Sequence, residues 1–239
     1  VTSRTAEPRP GAAKAAIDHA AAEPDDAWLP QLRGRFIVFD GPDGSGKSTQ
    51  LTRFHERCLA ARLPVCLVRE PGGTAIGERI RDILLDASAG AMSPRCEMLL
   101  YMASRAQLVA ERIRPALARG EFVLADRFVS STLAYQGAAG GVPEGVIRAV
   151  AEAACEDVRP DLTVIFDVDE PTAASRVGAR EGAERDRIES RDRAYRTRVR
   201  DGYLDQARRE PDRVAIIDAA PGEDDVARAL LAELRRRFA

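Results

Sequence analysis

Five short runs of the chain are almost wholly apolar: RFIVFD at 35–40, PVCLVRE at 64–70, EFVLADR at 121–127, DLTVIFDV at 161–168 and RVAIID at 213–218. Runs of this length, bounded by turn residues, read as buried strands. Between them apolar residues recur at helical spacing. Leu51, Phe54, Cys58 and Leu59 share one side of a helix over 47–61, and Ile76, Ile80, Ile83 and Leu84 fall in register after PGGT. Ser93-Pro94 places an N-cap before a proline and opens a long helical pattern to Arg119, where Gly120 supplies a stop. A glycine-rich break at 137–141 precedes a helix over 143–156. Another starts at Pro171, a further one runs to about Arg209, and a closing helix begins near 223. Strands that are apolar on both faces and alternate with helices predict an α/β fold: a five-stranded parallel sheet with helices on both sides, in three layers.

Composition narrows the picture. Of 239 residues, 45% are apolar and the formal net charge is −2, which argues against a protein built mainly to grip nucleic acid. No apolar run is long enough to span a membrane, and the alanine- and proline-rich start has no secretory pattern. Residues 1–33 read as a disordered tail and 34–239 as one domain. Cys58, Cys66, Cys96 and Cys155 match no zinc spacing and read as reduced thiols in or near a core, which points to the cytoplasm.

The first apolar run ends in GPDGSGKS, residues 41–48, between a strand and a helix. This is a phosphate-binding P-loop: glycines fold the backbone so that N–H groups face one concavity, and the helix dipole adds to their field. Gly41, Asp43, Gly44, Ser45, Gly46, Lys47, Ser48 and Thr49 are its candidate ATP-binding residues. Lys47 is placed to bridge the terminal phosphates and Ser48 to ligate Mg²⁺. Only Lys14 and Lys47 among 36 basic residues are lysine. A compact ammonium fits a tight loop where a planar guanidinium does not. The guanine-reading NKxD motif would need a second lysine in the domain, and the LSGGQ signature of transporter ATPases is absent.

REPGGT at 69–74 and DRFVSSTLAYQG at 126–137 both follow strand ends, where open parallel sheets bind ligands. Together with the P-loop and LLYMASRAQL at 99–108, they resemble the thymidylate kinases from Phe36 to the C-terminus. The resemblance implies ATP-dependent phosphorylation of dTMP to dTDP, with Mg²⁺ as cofactor and a homodimer as the assembly. It also implies roles. Arg69 and Arg127 would clamp the acceptor phosphate, and Asp126 would organise Mg²⁺. Asp43 would meet the sugar 3′-hydroxyl or the acceptor site. Tyr101, where the family usually has Phe, would stack on thymine, and Arg105 would bond a base carbonyl. Ser131, Thr132, Tyr135 and Gln136 would line the nucleoside pocket, with Tyr135 guarding against a ribose 2′-hydroxyl. Tyr101 and Arg105 share a helix face, although on spacing alone they read as a core tyrosine with a surface arginine.

A phosphate monoester, with a second pKa of about 6, needs no general base at neutral pH. The chemistry asks for alignment and charge neutralisation, which suits a site of arginines, Lys47 and Mg²⁺. The charged stretch near 178–190 resembles the family's lid, with Arg176 at its edge. Gly44 stands where some members carry a loop arginine, so the lid would supply one here: Arg180, with Arg185 and Arg187 as rivals. Two other readings stay open, a kinase for a different nucleotide or nucleoside and a nucleotide-controlled switch.

Overall fold

The computed structural model describes residues 26–86, 88, 90–178 and 191–239. The strands are β1 (Phe36–Asp40), β2 (Val65–Arg69), β3 (Phe122–Asp126), β4 (Leu162–Asp167) and β5 (Val214–Asp218), one within each of the five apolar runs. They form one parallel sheet in the order β2-β3-β1-β4-β5. Alternation along β1 and β3 divides the core. Ile37, Phe39, Phe122 and Leu124 face one layer with Leu51, Phe54 and Leu230, while Phe36, Val38, Val123 and Ala125 face the other with Leu108, Ile113 and Phe128. The first layer is built by α1 (Lys47–Ala60) and α9 (Glu223–Phe238).

α2 (Ala75–Leu85) follows β2 and packs on α3 (Pro94–Leu108), whose N-terminus is capped by Ser93 as the sequence predicts. α3 passes through a wide π turn, Val109–Ile113, into α4 (Arg114–Ala118). Pro115 accounts for the irregularity, because it has no N–H and its ring crowds the carbonyl one turn back. After β3 come α5 (Val129–Thr132) and a π-helical segment, Leu133–Ala139, which runs into the expected glycine-rich break at 137–141 through a stretch to which the sequence pattern assigns no element. α6 (Glu144–Cys155), α7 (Glu170–Gly178) and α8 (Arg193–Arg209) complete the chain order. α8 lies very close to the π-helical segment. A Cβ on Gly202 would stand 2.6 Å from Ala138 Cβ, so only glycine allows this approach.

Three expectations need correction. Residues 26–33 are not tail: Leu29–Leu32 form a 3₁₀ turn whose leucines are fully buried with Trp28. Arg57 donates to Asp26 at 2.6 Å and pins the segment to α1. Apolar residues spaced by one turn found a groove there that a tail reading overlooks. Second, Ile76 and Ile83 do not join Leu84 in the core but stand about half exposed, at 52% and 50%. Third, Cys96 is exposed while the other three cysteines are buried. The remainder of the predicted tail and of the predicted lid, with Arg180, Arg185 and Arg187, lies outside the described residues. No helix among the described residues is long and apolar enough to cross a membrane.

Candidate active site

The C-terminal ends of β1, β2 and β3 open into one cleft of about 280 Å³. β1 delivers the P-loop, and Gly46 at φ 78° caps α1 in the left-handed region that a side chain resists. Pro42 to Thr49 border the cleft without a break. Lys47 is 7% exposed and donates to Asp126 Oδ1 at the end of β3. Burial, with the nearby Arg127 charge, lowers the ammonium below its ordinary range against the pull of Asp126. The Ser45 hydroxyl is buried without a partner among the described residues, an orphan that a loop folded for a ligand would explain.

Arg127 follows Asp126 directly, and its backbone bends to φ 70°, uncommon for a side-chain-bearing residue. The turn sends its guanidinium back under the loop. It donates to Asp43 Oδ1 at 2.5 Å, Gly41 O at 3.1 Å, Ser131 Oγ at 3.1 Å, Tyr203 Oη at 3.2 Å and Asp40 Oδ1 at 3.3 Å, and it lies over the Tyr135 ring. Burial opposes its charge, but Tyr135, Asp43, Tyr203 and Asp40 outweigh burial and hold it well above its ordinary range. Asp40 is fully buried. Besides Arg127, its carboxylate accepts from Gly41 N, Ser130, Ser131 and Tyr203. Tyr135 donates to Asp43 Oδ2 at 3.0 Å.

The far wall carries Arg69, Glu70, Pro71, Arg81, Tyr101, Thr132 and Gln136. Arg69 is held by both carboxylate oxygens of Glu78, and it shares Pro71 O with Arg81. Arg105 does not border the cleft. It is 1% exposed, its Nε and NH2 donate to Glu70 at 2.5–3.0 Å, and it also reaches Thr132 and Met102. Burial pushes the Glu70 carboxyl up to about 7 against the pull of Arg105. Arg176 is spent on the carbonyls of Ala219 and Ala220.

Apart from Gly41 and Arg105, the described residues expected from the sequence to handle nucleotides therefore border one cleft. Asp40, Glu70, Arg81 and Tyr203 were not anticipated, nor was Glu97, which stands behind the cleft and accepts from Gln136. Asp40 had a visible signal, an acid ending an apolar strand just before the glycines. Glu70 stood inside the REPGGT segment. Arg81, Glu97 and Tyr203 lie on helices amid many charged and aromatic positions, and only the fold brings them in.

The cleft runs from the P-loop to a wall that carries Arg69 and Arg81, an arrangement that suits a transfer between two phosphate-bearing molecules. Comparison with known proteins agrees. The sequence model of the family described as "Thymidylate kinase" matches residues 39–230. The thymidylate kinase of Deinococcus radiodurans is 44% identical over 205 residues, 86% of this chain and 98% of that protein. That of Pelotomaculum thermopropionicum is 47% identical over 192 residues, 80% of this chain and 88% of that protein. The crystal structure of thymidylate kinase from Ehrlichia chaffeensis superposes with a TM-score of 0.66 at 31% identity, covering 84% of this chain and 98% of that one.

Proposed function

The chain belongs to the thymidylate kinase family, phosphorylating dTMP to dTDP with ATP, and we propose that its cleft carries out this transfer with Mg²⁺ and the division of labour that follows. The P-loop holds the ATP phosphates on its N–H groups and on Lys47. Ser48 and Asp126, both at the cleft, would hold Mg²⁺, a cation that prefers a few hard oxygens beside substrate phosphates. When bound, Mg²⁺ neutralises charge on the phosphate oxygens.

Arg127 and Arg69 receive the acceptor phosphate, with Arg81 beside them. Tyr101 stacks on the base. Thr132 and Gln136 face its edge, and Tyr135 with Asp43 meets the sugar. Arg105 supports this wall through Thr132 and Glu70. Two anions must come together, so the site supplies aligned cations rather than a base. Arg180, or its neighbours Arg185 and Arg187, would add charge at the transferring phosphoryl group. The observation that carries this reading is that consecutive residues at the end of β3 meet the P-loop, Asp126 at Lys47 and Arg127 at Asp43.

Assay of the purified chain with ATP, Mg²⁺ and, in turn, dTMP, dUMP, dCMP, AMP and thymidine tests it. Product from dTMP well above the others is the expected result, and Arg180→Ala should lower kcat more than it weakens dTMP binding. Equal turnover of all acceptors would overturn the assignment of the far wall.

The same reading extends to assembly and place. Ile76 and Ile83 on α2 and Leu99 on α3, each at least half exposed, lie on two helices that pack side by side and suit a homodimer interface. Ile83→Arg with Leu99→Arg should yield a monomer by sedimentation. Free cysteines, three of them buried, agree with a cytoplasmic protein.

A further inference from the structure

Glu97 sits in the first turn of α3 and is 1% exposed. It does not border the cleft, yet both of its oxygens are engaged. Oε1 pairs with Arg191 at 2.7 Å, and Oε2 accepts from Gln136 Nε2 at 3.2 Å. Gln136 is 2% exposed and does border the cleft, on the wall with Tyr101 and Thr132. Arg191 is itself braced. It lies over the Tyr195 ring, whose hydroxyl donates to Tyr135 O at 2.8 Å, and its carbonyl accepts from Arg196 at 2.6 Å.

The chemistry of this chain of contacts is one-directional. A glutamine amide can present either a donor or an acceptor to the same neighbour, but a carboxylate only accepts. The end of Gln136 that meets Glu97 must therefore be its NH₂ group. The carbonyl oxygen, Oε1, is left on the other side, and no described residue donates to it.

We propose that Glu97 is a positioning residue that determines base specificity: by holding the Gln136 amide in one orientation, it makes the cleft present an acceptor. Thymine offers an N3–H donor to such an acceptor. Cytosine has a bare N3 there, so two lone pairs would face each other and a buried polar group would go unpaired. Arg191 keeps the Glu97 carboxylate in place, and so ties the orientation of the base wall to the start of α8. The inference rests on the reading that the acceptor base lies at this wall.

The test compares dTMP with 5-methyl-dCMP, which keeps the methyl group and differs only along the N3–C4 edge. Glu97→Gln retains shape but lets the facing amide donate or accept, so the orientation of Gln136 is no longer fixed. The ratio of kcat/KM for dTMP over 5-methyl-dCMP should fall about 10- to 100-fold, with the loss for dTMP falling on KM rather than kcat. In a Gln136→Leu background the same Glu97 change should leave the ratio where Gln136→Leu put it, because the two residues act as one unit. Should Glu97→Gln not fold, Glu97→Met fills the volume without an acceptor and should lower the ratio likewise.

An unchanged ratio in a folded Glu97 variant, with Gln136→Leu still weakening dTMP, would overturn the orientation claim alone. If Gln136→Leu leaves dTMP kinetics untouched, the base does not lie at this wall, and both the inference and the reading beneath it fall.

Discussion

Tyr203 and Asp40 stand 163 residues apart in sequence and meet beneath the cleft, phenol donating to carboxylate at 2.6 Å. The same phenol oxygen accepts from Arg127 at 3.2 Å. Tyr203→Phe deletes both contacts, together with the one to Ser131 Oγ at 3.0 Å, and keeps the ring. A lost hydrogen bond to charged groups is worth about 2 kcal/mol. If Arg127 receives the acceptor phosphate, KM for dTMP should rise by up to about 30-fold while the variant remains folded. Steady-state kinetics beside a thermal melt check this.

Lys47→Arg keeps the charge and matches the preference of the rest of the chain, yet it should fail. Lys47 is buried between the loop and Asp126, where a guanidinium fork does not fit. Losing a positioned charge at the phosphates should lower kcat by about 100-fold or more. Calorimetry should still detect dTMP binding, since the acceptor wall is intact.

Trp28, Leu29 and Leu32 fill the groove between α1 and α9. Leu29→Ala should cost about 2–5 kcal/mol, the usual range for a buried leucine, and leave kinetics at low temperature unaltered. Chemical denaturation of the full chain measures it. The matched family region begins only at residue 39, so this segment contributes packing from outside that match.

Arg236 first, and then Arg237, hold the Glu233 carboxyl down at about 2, below its ordinary 4.5. The folded chain therefore releases this proton more readily than the unfolded chain. The contribution to stability is full above the ordinary value and is lost as pH falls toward 2. Because one of the partners is largely exposed, the effect is about 1 kcal/mol. Glu233→Gln should be less stable than the parent at neutral pH, and the gap should narrow from about pH 5 downward.

Burial pushes the Cys58 thiol up to about 12 and Cys155 up to about 11, while Cys96 is exposed. A mildly alkaline iodoacetamide pulse should label Cys96 first, and peptide mapping would show Cys58 and Cys155 labelled only after denaturation.

The sheet was legible because its strands are buried on both faces and interrupted by glycines and prolines. The P-loop was legible because its residues are contiguous. The segment 129–139 was not: Ser130, Ser131 and Gly137 carry turn preferences locally, and α8 packing through Gly202 overrides them. Ile76 and Ile83 fit the helical period but lie off the core face, and periodicity does not say which neighbour an apolar stripe will meet. The pairing of Arg105 with Glu70, and of Glu97 with Gln136, joins residues 35 and 39 positions apart, beyond the reach of any local pattern.

At the end of β3, Asp126 is in register with both Arg69 of β2 and Phe39 of β1. Asp126 closes the strand and Arg127 leaves it at φ 70°, so consecutive residues both hold the P-loop, one at Lys47 and the other at Asp43 and Gly41 O. Two anchors of the loop thus hang on the point where this strand stops. Inserting or deleting one residue within β3 would shift both anchors together, which makes this strand intolerant of a change in length even though nearly all of its side chains are plain hydrocarbon.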